Sequence, residues 1–393
     1  MVSVSKRFNY PYVIDDVINE FVLACHQVFA GDKLGILLVG SSARGELSWS
    51  MKESMACFYS DIEFIVVVEK MDKRSESFSN EIADLQKKRD LGKRFKIDYV
   101  LNDWDGIACL DKKIFVFDSK NTGIELGDQP IKPMMPNVNK NNINFHELND
   151  VLLHRMKALL MDVPDNLFHQ ADKQDDFCLS IAKNTLDITT WLFPYEAEEL
   201  ISGFENRLNS WEQRRKDLKL SLYFGDDEFN FLRECIAMRR GVLKELDAVS
   251  LLEKYISIYA KAITYCKFMN DISSDEPLSK ASVSSSLFLE FSFRRRLKEA
   301  SLLLVNFKVF GPACLLTNIF TPRKGRQIEF CFLMIEALSL LLTNQKNKHD
   351  EMISQSKESL GHLLILQDGM NRSRVDQWLG LRDQYRSLTE IVI

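Results

Sequence analysis

Two acidic residues at the start of an apolar run are the residues with the clearest chemistry in this sequence. Asp61 and Glu63 lie in the segment SDIEFIVVV, where five apolar residues follow them. Residues two apart on a β-strand project from the same face, about 6–7 Å apart along the strand. A near-continuous apolar run is typical of a strand that is buried on both faces. Two carboxylates at the start of such a strand predict a divalent cation, since Mg²⁺ prefers carboxylate oxygens and retains positions for phosphate.

The preceding segment, LLVGSSARGE, predicts a place for phosphate. Residues 34–39 form a short apolar run that ends at Gly40, and the residues after it favour a helix with Ser41 or Ser42 as its cap. A strand, a glycine turn and a helix start leave backbone N–H groups pointing outward, where anions bind. Glycine also allows a ligand to approach the backbone closely.

Gly40-Ser41, Asp61-Ile62-Glu63 and Asp98 (in FKIDYVL) together resemble the nucleotidyltransferase superfamily related to DNA polymerase β. The pattern of that family is an apolar strand, Gly-Ser, a short helix, two acids separated by one residue on the next strand, and a third acid on a later strand. The segment SDIE also resembles some aminoglycoside nucleotidyltransferases, and GSSARGE resembles small bacterial members; the resemblance covers about residues 10–130. The 19 residues between Ser41 and Asp61 exceed the usual spacing, so we expect an inserted helix and loop at residues 49–59.

The resemblance implies a role for each of these residues. Asp61, Glu63 and Asp98 would be the catalytic residues and the ligands of one or two Mg²⁺ ions, which Mn²⁺ could replace. Asp98 would share a metal or accept the proton of the acceptor hydroxyl as general base, with Asp103 and Asp105 as alternatives. The nucleotide would be bound by the glycine turn and by a lysine of a helical region, through Gly40, Ser41, Ser42, Arg44 and Lys183, with Arg155 and Lys157 as alternatives to the lysine.

The function implied by the resemblance is nucleotidyl transfer. A nucleoside monophosphate, AMP from ATP in our expectation, would move to a hydroxyl of a small-molecule acceptor with release of pyrophosphate. Nothing in the sequence selects ATP over another NTP. One alternative is modification of a protein side chain or a tRNA end, as in toxin-like members. An alternative of another class is a non-catalytic nucleotide-binding regulatory or scaffold protein.

Composition limits the other classes of function. The 393 residues are 46% hydrophobic and 27% charged, which is ordinary for a globular chain. Non-specific binding of nucleic acid requires a positively charged surface, and the net charge is −5, so nucleic acid is not favoured as a partner. The eight cysteines are scattered without a CxxC pair, which predicts free thiols in a reducing cytoplasm. No apolar run has the length of a signal peptide or a membrane span, and we expect a soluble cytoplasmic protein.

The spacing of apolar residues changes near residue 145, from a period of two to about 3.6. We therefore predict an α+β fold, in which an N-terminal mixed sheet of nucleotidyltransferase type is flanked by helices and followed by a large all-α region. The domains would be a catalytic domain at 1–142, a helical substrate-binding domain at 143–272 and a C-terminal helical region at 273–393. The main elements predicted before residue 200 are a helix at 12–30, strands at 34–39, 61–68, 95–101 and 114–117, a loop over 121–142, and a helix that Pro194 ends.

Overall fold

A computed structural model of the chain describes residues 3–52, 55–89, 95–143, 145–163, 175–197, 199–241, 247–269 and 346–361, with single positions between 331 and 338 and between 378 and 383. Contacts between Cα atoms divide the chain into two compact units. Unit 1 comprises Met1–Asn144, Phe193–Gln213 and Arg233–Lys244, and unit 2 comprises Phe145–Leu192, Arg214–Leu232 and Glu245–Ile393. Two later stretches of the chain therefore belong to the same unit as the N-terminal residues.

The N-terminal part of unit 1 alternates helices and strands. The helices are α1 (Val4–Phe8), α2 (Val13–Val28), α3 (Gly40–Arg44), α4 (Arg74–Lys88), α5 (Trp104–Ala108) and α6 (Ile114–Thr122). The strands are β1 (Gly35–Val39), β2 (Trp49–Lys52), β3 (Met55–Phe58), β4 (Ile62–Val68), β5 (Ile97–Asp103) and β6 (Ile124–Glu125). A short 3₁₀ helix spans Lys140–Asn142.

Four of these strands form a mixed sheet in the order β5–β4–β1–β6, while β2 pairs with β3 in a second sheet. β1 is antiparallel to β4 and to β6, whereas β4 and β5 are parallel. A parallel pair needs a crossover connection, and α4 lies between β4 and β5 along the chain. Because β1 runs antiparallel to β4, the end of β1 lies beside the beginning of β4, and the beginning of β5 lies next to β4 at the same end of the sheet.

The four-stranded sheet buries apolar side chains on both faces. On one face, Phe64 of β4 stacks on Phe21 of α2 with ring centroids 3.7 Å apart, and Phe78 of α4 meets Phe21 edge-on at 5.7 Å. On the other face, Ile107 of α5 and Val116 of α6 belong to a smaller apolar cluster with alternate residues of β1 and β4. Residues of β4 point to the two faces in turn, which explains why its apolar run is continuous.

The rest of the described chain is helical. Its helices are α7 (Phe145–Asp162), α8 (Asp175–Ala197), α9 (Phe204–Gln213), α10 (Asp226–Arg239), α11 (Ala248–Met269) and α12 (Lys346–Gly361), with a 3₁₀ helix at Lys219–Leu222. Within unit 2, Arg155 of α7 pairs with Asp187 of α8 at 2.6 Å, and the hydroxyl of Tyr259 donates to the carbonyl of Asn184 at 2.9 Å. Among the described residues, no helix has the length and apolarity needed to cross a membrane.

The predicted α+β class is confirmed, as are the main elements around the acidic residues. The helix predicted at 12–30 and the strands predicted at 34–39, 61–68 and 95–101 correspond to α2, β1, β4 and β5. The division of the chain into domains at 142 and 272 stays a prediction. Residues 272 and 273 lie outside the described residues.

Four predictions of local structure are wrong. Residues 49–59 hold β2 and β3 instead of an inserted helix, because their side chains alternate: Trp49 packs on the core whereas Met51 is exposed. The run at 114–117 begins α6 instead of a strand, since a short apolar run fits either structure. The segment predicted as a loop contains the end of α6 and β6. Finally, α8 continues past Pro194, which removes only one backbone hydrogen bond from a helix whose flanking Phe193 and Ala197 are buried.

We predict that Phe64→Ala lowers the free energy of unfolding by about 3–5 kcal/mol, as is usual for the loss of a buried aromatic ring. The ring is 1% exposed and stacks on Phe21, so its removal leaves a cavity between β4 and α2. Urea denaturation followed by circular dichroism measures the change. Leu23→Ala on the exposed side of α2 is the matched control, since Leu23 is 56% exposed; equal losses in the two variants would contradict the packing described.

Candidate functional site

Three separate stretches of the sequence meet at one end of the four-stranded sheet. Glu63 of β4 lies opposite Val39 of β1 on one side and opposite Asp98 of β5 on the other. Neighbouring strands are roughly 4.8 Å apart, and residues that are paired across them point to the same face. Glu63 and Asp98 are therefore adjacent acidic positions on one face, and the Gly40 turn follows directly after Val39. The family resemblance implies that these three segments belong to one site, and the roles of their residues stay a prediction.

The side chain of Glu63 is directed toward Gly40. A Cβ atom on Gly40 would lie 1.6 Å from Glu63 Oε2 and 2.7 Å from Glu63 Cδ. Gly40 also has a φ of +70°, in the left-handed region that side chains disfavour. Both the backbone conformation and the neighbouring carboxylate thus require glycine at this position.

The predicted serine cap of α3 is wrong. The helix begins at Gly40 directly after β1, and its N-cap position is Val39, which makes no side-chain cap. The hydroxyl of Ser42 is buried and donates to the carbonyl of Val39 at 3.0 Å. Ser42 therefore offers a ligand only its backbone, whereas Ser41 is half-buried. Because α3 has five residues, it has too few aligned peptide units for a full macrodipole.

Arg44 is bound by carboxylates. Its Nε donates to Glu46 Oε2 at 2.8 Å, and its terminal nitrogen lies 3.5 Å from Asp118 Oδ2. Burial by itself would lower the pKa of Arg44, but the charges of Glu46, Asp118 and Glu63 outweigh it, so the pKa is raised and the guanidinium stays charged. The expected contact of Arg44 with a phosphate stays a prediction.

The donor atoms at this end of the sheet are those that a hard cation prefers. Asp61 lies immediately before β4, two positions from Glu63, and the alternation of the strand assigns it to the same face. Asp61 and Glu63 are half-buried and Asp98 is exposed. In the described part of the chain, however, no three side chains among histidine, cysteine, aspartate and glutamate converge as a metal-holding group. The residue types and their shared face fit Mg²⁺, while a three-carboxylate cluster is not formed with Glu63 turned toward Gly40.

The two acids predicted as alternatives to Asp98 as general base do not lie beside Glu63. Asp103 is five residues beyond Asp98 on β5, roughly 17 Å away at 3.3 Å per residue. Its carboxylate accepts from the backbone N–H of Gly106 at 2.7 Å and so caps α5. Asp105 lies within α5. Asp98 is therefore the one of these three acids that lies beside Glu63.

Lys183 lies on α8, in unit 2. Desolvation, followed by the positive charges of Arg155, Lys157 and Lys183, lowers the pKa of His154. Its predicted contact with the nucleotide stays a prediction.

The sequence reasoning missed two acidic residues of this region. Glu46 is the last residue of the GSSARGE segment, and Asp118 is an acid within the apolar run of α6. Both bind Arg44, and an acid in an apolar helix was a signal that could have been noticed.

No protein-family model matches this chain, and no curated protein matches its sequence. What the site does is therefore inferred from its residues.

We predict that Gly40→Ala destabilises the protein by about 1–3 kcal/mol through its positive φ, and by about 1 kcal/mol more because Glu63 must leave its position. Gly31→Ala is the matched control, since Gly31 has a φ of +92° and nothing within 4 Å of an added Cβ. Urea denaturation of both variants separates the two costs. In a Glu63→Ala background the extra cost should disappear; if Gly40→Ala costs the same with and without Glu63, the contact does not exist in solution.

Proposed function

We propose that the protein is a Mg²⁺-dependent nucleotidyltransferase that transfers a nucleoside monophosphate, AMP from ATP, to a hydroxyl of a small-molecule acceptor and releases pyrophosphate. The single observation that supports this most is the register at the end of the sheet. Asp98 lies beside Glu63, and Glu63 lies against the Gly40 turn. These positions lie in three separate segments of the sequence, so the composition of any one segment does not explain why they are adjacent.

In the proposed reaction each residue has a separate task. Asp61, Glu63 and Asp98 would hold the metal, which when bound neutralises charge on the phosphates and polarises the attacked phosphorus. The backbone at Gly40 and the hydroxyl of Ser41 would bind phosphate oxygens, because glycine leaves the backbone open to close approach. Asp98 would also accept the proton of the acceptor hydroxyl, since it is the exposed acid of the group.

The charge of the site supports a bound cation. Asp61 and Glu63 lie two residues apart at the start of β4, and Asp98 of the neighbouring β5 is paired with Glu63. Acidic side chains at neighbouring positions repel one another, and a bound cation would reduce that repulsion. Arg44 provides one positive charge, but it is already engaged by Glu46 and Asp118.

We predict that ATP with Mg²⁺ raises the melting temperature, because a ligand that binds only the folded state stabilises it, by about 2.7 kcal/mol at a hundredfold excess over Kd. Differential scanning fluorimetry with ATP alone, Mg²⁺ alone and both together is the measurement. Glu63→Gln should lose the metal-dependent part of the shift. Asp84→Asn is the control, an exposed acid of α4 that pairs with the surface Lys87. If no divalent ion changes the increase in melting temperature that any NTP causes, the proposed metal site is contradicted.

We predict that Asp98→Asn leaves ATP binding largely intact but lowers the rate of transfer by about 10²-fold or more, which is the usual contribution of a positioned base. The assay incubates the protein with Mg²⁺, isotope-labelled ATP and a metabolite extract, and mass spectrometry detects products that have gained AMP. The same assay with a protein extract and with tRNA tests the alternative acceptors. Asp84→Asn should retain the wild-type rate. If no product gains a nucleotide with any NTP although ATP with Mg²⁺ raises the melting temperature, the result favours the alternative of a nucleotide-binding protein without transfer activity.

A further inference from the structure

The two halves of the candidate site extend beyond the last residue pair of β1 and β4. That pairing ends at Val39, which lies opposite Glu63. Ser41 lies in α3, after the end of β1, and Asp61 lies before the start of β4. Pairing between these two strands therefore does not fix Ser41 and Asp61 relative to each other. Their relative position depends on the segment that follows α3 and on the segment that precedes Asp61.

Ser48 connects these two segments. Its backbone N–H donates to the hydroxyl of Ser60 at 3.2 Å, and its carbonyl accepts from the backbone N–H of Tyr59 at 2.9 Å. These bonds continue the pairing of β2 with β3 toward the candidate site. Ser60 is the residue directly before Asp61, so the position of Ser48 is linked to that of Asp61.

Glu46 connects the same segment to α3. Its backbone N–H donates to the carbonyl of Ser41 at 2.9 Å. Its carboxylate accepts from Arg44 Nε at 2.8 Å and from the backbone N–H of Phe204, the first residue of α9. Because both the backbone and the carboxylate of Glu46 are bound, the position of Ser41 is linked to that of Glu46.

Arg239, the last residue of α10, binds both Glu46 and Ser48. Its Nη2 donates to the carbonyl of Glu46 at 2.8 Å, and its Nε donates to the hydroxyl of Ser48 at 2.9 Å. A guanidinium is planar, so two of its donors fix two acceptors relative to each other, which the single nitrogen of a lysine cannot do. Its carbon lies 5.0 Å from the centre of the Phe204 ring, a contact that restricts its orientation.

One side chain thus lies within two hydrogen bonds of both halves of the candidate site. Through Glu46, Arg239 is connected to α3. Through Ser48, it is connected to Ser60, which adjoins Asp61. Arg239 and Ser48 are each 4% exposed, so loss of the bond between them would leave buried polar groups without it.

We propose that Arg239 is a positioning residue, which fixes the segment after the Gly40 turn and the segment before Asp61 relative to each other. It would thereby set the spacing between the backbone that binds phosphate and the carboxylates that hold the metal. The part of this inference that concerns the metal and the nucleotide rests on the proposed function. The part that concerns the relative position of the two segments does not.

The preference for Mg²⁺ over Ca²⁺ in the binding of ATP tests the inference. Mg²⁺ requires near-ideal octahedral geometry at about 2.0–2.1 Å, whereas Ca²⁺ accepts flexible sets of about six to eight oxygens. Arg239→Lys keeps the charge but cannot hold both acceptors, and it should weaken binding of ATP with Mg²⁺ about 3- to 30-fold, within the usual range of coupling between contacting groups. Binding of ATP with Ca²⁺ should weaken less than about threefold, because a flexible coordination tolerates displaced ligands. Isothermal titration calorimetry measures both dissociation constants.

The controls separate positioning from stability. Arg240→Lys is the same substitution at the next residue, an arginine in an exposed ion pair with Glu205, and it should bind ATP with either ion like the wild type. Ser48→Ala removes only one acceptor of Arg239, so it tests the same preference for Mg²⁺ even if Arg239→Lys does not fold. The double variant should bind no more weakly than Arg239→Lys, because both changes remove one contact. Equal weakening with the two ions, or effects that multiply, would overturn the proposal.

Hydrogen exchange without any ligand provides the second measurement. In Arg239→Lys and Ser48→Ala the amides of Glu46, Ser48 and Tyr59 should exchange about tenfold faster or more relative to the amides of β4, because the contacts that order these two segments are weakened. Unchanged exchange at these amides, or the same increase in Arg240→Lys, would also overturn the inference. If the wild type binds ATP with neither ion, the proposed function fails, and hydrogen exchange alone decides whether Arg239 holds the two segments together.

Discussion

The pairing of β1 with β4 is the constraint on which the geometry of unit 1 depends. Five consecutive residue pairs, from Gly35–Val67 to Val39–Glu63, place the end of β1 beside the start of β4. A shift by one residue would move Glu63 to the face where Phe64 now packs against α2 and α4. Because a carboxylate among phenylalanine rings is unfavourable, this register is strongly specified. The apolar residues of the strand thus determine on which face the acidic side chains project.

The buried charges explain why later segments of the chain belong to unit 1. Arg207 and Arg239 are 4% exposed, and their partners in the N-terminal part are Asp118, Glu46 and Ser48. Glu46 also satisfies a backbone N–H at the start of α9, a group that has no partner inside the helix. Without these contacts, Arg207, Arg239 and the backbone N–H of Phe204 would each lose a partner in the N-terminal part. The packing of the later segments into unit 1 and the position of the backbone after the Gly40 turn therefore depend on the same contacts.

Residues with a role in the fold can be separated from residues whose type the fold does not explain. Gly40 is required by its backbone angle and by the adjacent carboxylate, and the Ser42 hydroxyl is used by the Val39 carbonyl. Asp103 caps a helix. By contrast, no contact described for Asp98 or for the Ser41 side chain explains why an acid and a hydroxyl stand there. Such positions, next to Glu63 and the glycine turn, are where a ligand would find unused polar groups.

The sequence by itself determined the strands that carry the acidic residues, the helix α2 and the change to helical structure near residue 145, because these depend on the spacing of apolar residues within one segment. That Gly40, Glu63 and Asp98 belong to one site was implied by the family resemblance, and the register of β1, β4 and β5 places Asp98 opposite Glu63 and the Gly40 turn after the residue opposite Glu63. Only the tertiary structure decided how identical residue types are used. Asp98, Asp103 and Asp118 lie within 21 residues of one another, yet one is exposed, one caps a helix and one binds two arginines. The partner Arg207 is 89 residues from Asp118, and a contact over such a distance leaves no periodic pattern in the local sequence.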